Sequence, residues 1–151
     1  MKNFFSSELH NERTFYDVFI KDLKSCKKEV IIESPFITTS RMNAFRDIFN
    51  ELIGKGVKVY IITRDPKVHS LDMAPQAEVE IHGLEKSGIQ ALLVLGNHHR
   101  KLAIIDRKIL WEGSLNILSQ NKSNEIMRRI KSEVLATEMF DFLGLNRFIK
   151  W

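Results

Sequence analysis

The chain has 151 residues, with 23 basic and 19 acidic side chains, a formal charge of +4 and one cysteine. That length suits a single domain spanning 1–151, able to bury roughly 70% of its unfolded surface without a disulfide or structural metal; Cys26 excludes an internal disulfide and has no partners at zinc-ligand spacing. The aromatic pair in the opening MKNFFSSELHNERTFYD is too short for a signal-peptide core, and no run approaches the roughly 20 apolar residues of a membrane span, so a cytoplasmic protein with no membrane association is expected.

Apolar periodicity alternates between helix and strand along the chain. Over residues 11–28, Phe15, Val18, Phe19 and Leu23 share one helical face. Residues 29–37, EVIIESPFI, read as a buried strand rich in β-branched side chains and broken at Pro35. A second helix is predicted over 39–53, with Met42, Phe45, Ile48, Phe49 and Leu52 on one side and GKG as its stop. VKVYIIT is the next strand, and strand, helix, strand with short joins predicts a right-handed parallel crossover.

RDPKVHSLDM reads as loop, and 75–86 as a helix with Ala77, Ile81 and Leu84 inward. EVEIH also alternates like a strand, but a crossover is still owed before the strand IQALLVLG. KLAIID and KILWEG form a hairpin around Arg107 and Lys108, and NEIMRRI adds a short strand. SEVLATEMFDFLGL closes as an amphipathic helix capped by Ser132 and stopped by Gly144. The predicted fold class is α/β, a sandwich in which helices cover a mixed sheet.

Within NHHRKLAIIDRKILWEGSLNILSQ the polar residues recur at fixed spacing among apolar runs. His99 and Lys101 are two apart and would share a face on one strand. If the two apolar runs pair, Gly113, Ser114 and Asn116 leave the returning strand near the His99 end, and histidine, lysine, serine and asparagine converge. Those types suit phosphoryl transfer without a metal or other cofactor: a neutral imidazole nitrogen attacks phosphorus, while a lysine and an amide hold the oxygens on which charge builds up. Gly113 would let the backbone approach a phosphate, and the Ser114 hydroxyl would orient a neighbour. Between residues 97 and 131 there are eight basic residues, Arg100, Lys101, Arg107, Lys108, Lys122, Arg128, Arg129 and Lys131, against three acidic ones. Such an excess beside a phosphate-type site points to a polyanionic partner.

The pattern His99-x-Lys101-x4-Asp106-x6-Gly113-Ser114-x-Asn116 resembles the HKD signature of the phospholipase D superfamily, Gly-Ser-x-Asn extension included. Six identities at fixed spacing arise by chance in a chain of this length on the order of once in a million. The elements around the motif also resemble the small single-motif, nuclease-like members over nearly the whole chain, which implies a phospholipase D-like α-β-α sandwich, a mixed sheet flanked by helices. By this resemblance His99 is the nucleophile that forms a phosphohistidine, Lys101 and Asn116 bind phosphate oxygens, and Ser114 supports the site. Glu125 matches the acid that hydrogen-bonds the catalytic histidine, and Asp106 is structural, as a strand-end aspartate at a hairpin suggests on local grounds alone. The family chemistry uses two histidines, one attacking and one protonating the leaving oxygen, so a chain with one motif implies a homodimer across the active site.

Beside the motif, Ser34, Arg41 and Arg64 follow or face strand ends where parallel-sheet sites gather, and with Arg100, Lys122 and Arg128 they are candidates for a substrate groove. His98 is expected on the opposite face from His99 as a structural or surface residue, and His10, His69 and His82 have no partners at ligand spacing. The function expected is a metal-independent endonuclease acting on nucleic acid, DNA rather than RNA, with steep salt dependence and little sequence preference. The alternatives are a phospholipase D or phosphatidyl transferase, for which no exposed apolar loop or basic amphipathic helix is evident, and a catalytically silent nucleic-acid-binding module of a larger restriction or helicase system. The absence of a linker at either end argues mildly against a piece cut from a longer protein.

Overall fold

Glu29–Glu33 is buried at all five positions, the pattern of a strand covered on both faces. It stands inside a seven-stranded sheet in this computed structural model, which describes residues 5–66 and 74–151. In chain order the elements are β1 (Ser6–Asn11), α1 (Phe15–Ser25), β2 (Glu29–Glu33), α2 (Thr39–Gly54), β3 (Lys58–Arg64), α3 (Ala74–Lys86), β4 (Gln90–Val94), β5 (Leu102–Ile105), β6 (Ile109–Gly113), β7 (Ile126–Lys131) and α4 (Glu133–Phe142), followed by a short 3-10 turn at Leu145–Arg147. Residues 67–73 of the predicted loop, His69 among them, lie outside the described residues.

The sheet order is β1-β7-β6-β5-β2-β3-β4. The pairs β2–β3 and β3–β4 are parallel, and the other four are antiparallel, so the sheet is mixed as expected. On one face Val30, Ile32, Val59, Ile61, Ala103 and Trp111 form a core with Phe15 and Phe19 of α1, Phe45 and Phe49 of α2, and Ile81 and Leu84 of α3. On the other, Ile31, Ile62, Leu102, Ile104 and Leu110 are covered by Ala136 and Phe140 of α4 and by Leu145 and Ile149 beyond it. Ser132 caps α4 by accepting the Leu135 amide, and Gly144 turns the chain out of it at φ +66°.

Four expectations need correction. β1 was not expected, because SSELHN is exposed almost throughout and carries no alternating apolar signal; its backbone ladder to β7 holds it as an edge strand. The first helix starts at Phe15 and not at 11, because the Asn11 side chain accepts the Arg13 and Thr14 amides in a turn that closes β1. β2 stops at Glu33 and not at 37, since Pro35 has no amide for the ladder. His99 and Lys101 are not on a strand: β5 begins at Leu102, and the two lie in the extended lead-in before it.

Candidate active site

The predicted hairpin forms, with Leu102 opposite Glu112 and Ile105 opposite Ile109. Asp106 to Lys108 connect the strands, the Lys108 amide donates to the Ile105 carbonyl at 2.9 Å, and Asp106 and Arg107 both have φ of 52°, a left-handed conformation that Asp tolerates better than most residues. The turn end is saturated with bonds. Asp106 accepts the amides of Lys27, Lys28 and Glu29 at 2.9, 2.7 and 3.0 Å, and the Cys26 thiol lies 3.4 Å away. Burial alone would raise its pKa, but those donors outweigh it and hold the carboxyl below its ordinary value. The Cys26 thiol, buried beside this carboxylate, is pushed up to about 12. Asp106 thus ties the hairpin to the start of β2.

The other end of the hairpin is open. β5 runs antiparallel to β2, which brings the His98–Lys101 lead-in to the edge where β2 and β3 end, β6 ends and β7 begins. That edge gathers His99, Lys101, Ser114, Asn116 and Glu125. His99 is exposed, and the Lys101 ammonium folds back to donate to the His99 carbonyl at 2.6 Å. Ser114 is stapled to β7: its amide donates to the Ile126 carbonyl at 2.9 Å and its hydroxyl accepts the Ile126 amide at 3.1 Å. The Asn116 carbonyl accepts the Ser119 and Gln120 amides, whereas its side-chain Oδ1 is buried with no hydrogen-bond partner. Glu125 is half-buried and its amide donates to the Glu12 carboxylate; among the described residues no hydrogen bond joins its own carboxylate to His99.

Gly113 also has a reason within the fold. A Cβ there would lie 2.9 Å from the Met127 Cα and still closer to the Ile126 carbonyl, so glycine is required for β6 to approach the backbone of β7.

The groove candidates divide sharply. Ser34 is 0% exposed, donating to the Phe36 carbonyl and accepting the Leu118 amide, so it lines no groove. Arg41 lies against the Tyr16 ring at 3.8 Å and clamps the Gln120 carbonyl through Nε and Nη2. With the Tyr16 hydroxyl on the Ile117 carbonyl and the Thr38 amide on that of Leu118, these residues pin the loop after Asn116 from behind. Arg64 stands at the end of β3, 5.3 Å from the Phe36 ring. Lys122 is exposed, and Arg128, also exposed, donates to the Ser7 hydroxyl.

Three of the eight basic residues counted in the sequence are paired with acids far away in the chain. Arg100 meets Glu33 at 2.9 Å, Arg107 meets Glu29 at 3.0 Å, and Arg129 grips Asp22 at 2.8 Å beside the Trp111 indole N–H. The charge free to meet a polyanion is therefore smaller than composition suggests. His98 behaves as expected for a structural residue, its Nε2 lying 2.5 Å from a Glu33 oxygen in an orientation that makes no hydrogen bond.

Sequence patterning also missed an exposed apolar surface. Leu9, Ile126 and Phe142, at 61%, 62% and 85% exposure, line a groove of about 530 Å³ that continues onto Lys101 and Gly113. No helix among the described residues is long and apolar enough to cross a membrane, and none of their His, Cys, Asp or Glu side chains cluster in threes to hold a metal ion.

Comparison with known proteins agrees with this architecture. A family model described as cardiolipin synthase, PLD-like domain, matches residues 19–143. NucT from Helicobacter pylori has a similar structure, at TM-score 0.70 and 20% identity over 92% of this chain and 93% of that one. A phospholipase D family member, Nuc from Salmonella typhimurium, matches at TM-score 0.73 and 16% identity over 92% and 91%. Phosphatidylserine synthase from Haemophilus influenzae matches at TM-score 0.66 and 15% identity, over 92% of this chain but only 38% of its own. No curated protein sequence matches significantly.

Proposed function

The chain belongs to the family of phospholipase D-like domains, and from that premise we propose that it is a metal-independent phosphodiesterase that hydrolyses nucleic acid through a phosphohistidine on His99. The observation that supports this reading most is the occurrence of His99, Lys101, Ser114 and Asn116 within three residues of strand ends at one edge of the sheet, with His99 exposed there.

In the proposed reaction a ring nitrogen of His99 attacks phosphorus, and the P–N bond forms as the bond to the leaving oxygen breaks. Lys101 and the Asn116 amide hold the non-bridging oxygens as charge accumulates. The leaving oxygen needs a proton, which the partner's His99 supplies. Water then opens the intermediate, giving its proton to that same second ring. Within one chain there is one such histidine, so a second copy completes the site. The exposed Leu9, Ile126 and Phe142 surface beside Lys101 supports an interface there, because apolar groups left in water favour burial.

Nucleic acid is favoured over lipid because the likeness to NucT and Nuc extends over nine-tenths of both chains. Arg128 and Lys122, both exposed, stand near the same edge to neutralise backbone phosphates without reading bases, whereas Arg100 is engaged by Glu33. Lipid phosphodiesters are the second reading, favoured by the family description and the apolar groove. Hydrolysis of DNA in EDTA that disappears in His99→Ala is the expected result; headgroup release from phospholipid vesicles without DNA cleavage would favour the second reading, and strict dependence on added metal would remove the mechanism.

A further inference from the structure

Glu33 closes β2 at the same edge and is 0% exposed, an unusual place for a carboxylate. Its backbone pairs with Leu102, the first residue of β5, and with Ile62 of β3, neither of which carries charge. Its Oε1 meets the Arg100 Nε at 2.9 Å and lies 2.5 Å from the His98 Nε2, while its Oε2 is buried with no hydrogen-bond partner. His98 and Arg100 are the immediate neighbours of His99. One buried group thus touches the residues on both sides of the nucleophile, from the face of the sheet opposite to the one expected for His99 and Lys101.

We propose that Glu33 is a positioning residue: by its ion pair with Arg100 and its close contact with His98 it fixes the backbone of His99 between them and so aims the nucleophile. This rests on the reading of His99 given above. The lead-in is outside any strand, so no ladder bond holds its residues 98–100, and a side-chain anchor is what their geometry requires. The anchor depends on charge. Burial raises the Glu33 pKa, only partly offset by Arg100. Burial lowers that of His98, and the charges of Arg100, His99, Arg64 and Lys101 lower it further. Ionised Glu33 holds Arg100; on protonation the ion pair is lost and the lead-in loosens, so the nucleophile is best aimed above the raised carboxyl value and less well as pH falls through it.

The test follows hydrolysis of bis-p-nitrophenyl phosphate by the full chain in EDTA, from about pH 5 to about pH 8. Glu33→Gln keeps the shape and removes the charge. It is expected to lower kcat about ten-fold near neutral pH with KM within about two-fold. The deficit should narrow toward acid pH, where the wild-type carboxyl becomes neutral as well. A packing defect alone would give a loss that does not vary with pH, and that result, or an unchanged kcat, would overturn the proposal. If circular dichroism shows that Glu33→Gln does not fold, His98→Gln decides: lower kcat at unchanged KM supports the anchor, and unchanged kcat refutes it. His99→Ala separates the two levels, since activity surviving there sinks the reading of the site, whereas an inactive His99→Ala beside a wild-type-like Glu33→Gln sinks the anchor alone.

Discussion

The two ends of the β5–β6 hairpin are built on opposite principles. At the turn, both carboxylate oxygens of Asp106 are occupied by amides at the start of β2 and just before it, and Arg107 is paired to Glu29 and lies 4.0 Å from the Phe140 ring and 4.2 Å from that of Trp151. At the open end, Asn116 Oδ1 and Glu33 Oε2 are buried without hydrogen-bond partners, and His99 faces solvent. A motif spread over eighteen positions of sequence is thus split by the hairpin into a half whose polar groups are bonded and a half that is left open. Satisfaction of polar groups, more than identity within the motif, separates the two.

The sharpest break between the ends should come from His99→Ala. Activity is expected to fall by about 10³-fold or more in kcat/KM, with the melting temperature unchanged because the side chain is exposed. Asp106→Ala should do the reverse, costing about 3 kcal/mol of stability as three amides lose their acceptor, while activity per folded molecule is retained; denaturant unfolding and active-site titration check the two halves. The same carboxylate sets a pH signature. Its folded pKa is depressed, so its contribution is complete above the ordinary carboxyl value of 3.8 and is lost as pH falls through the lower folded value. Melting temperatures of Asp106→Asn measured down that range should lack the loss that wild type shows.

Asn116→Ala tests whether the Asn116 amide belongs to function. About 10²-fold of activity should disappear with little or no loss of stability, because a buried group without a hydrogen bond adds nothing to the fold. Ser34→Ala is the smallest expected effect. It should cost about 1–2 kcal/mol, since the Leu118 amide would lose its buried acceptor, and should leave KM unchanged if the serine lines no groove.

What was legible in the sequence follows the same division. Strands made of apolar or β-branched runs and helices with one apolar stripe announced themselves in the sequence, so β2 to β7 and all four helices were foreseen, with errors only at their ends. β1 was invisible because its contribution is backbone hydrogen bonding at an edge, which leaves no trace in side-chain pattern. The motif residues were legible through spacing, but the residues that hold them were not. Ser34 and Arg41 looked like groove candidates because they stand near strand ends, and only the fold reveals that they point inward to the loop after Asn116. Long-range pairs such as Glu33–Arg100 and Asp22–Arg129 join segments 67 and 107 residues apart, and no local pattern records them. For the same reason the local charge excess overstated what is available to a polyanion.

The central claim is that His99 carries the phosphoryl group without help from a metal, and the direct measurement is to quench the protein during hydrolysis of bis-p-nitrophenyl phosphate in EDTA and locate the phosphoryl adduct by peptide mass. An acid-labile phosphoramidate on the peptide containing His99, absent in His99→Ala, is the predicted result. Turnover in EDTA with no adduct, an adduct on another residue, or turnover only with added divalent metal would contradict it.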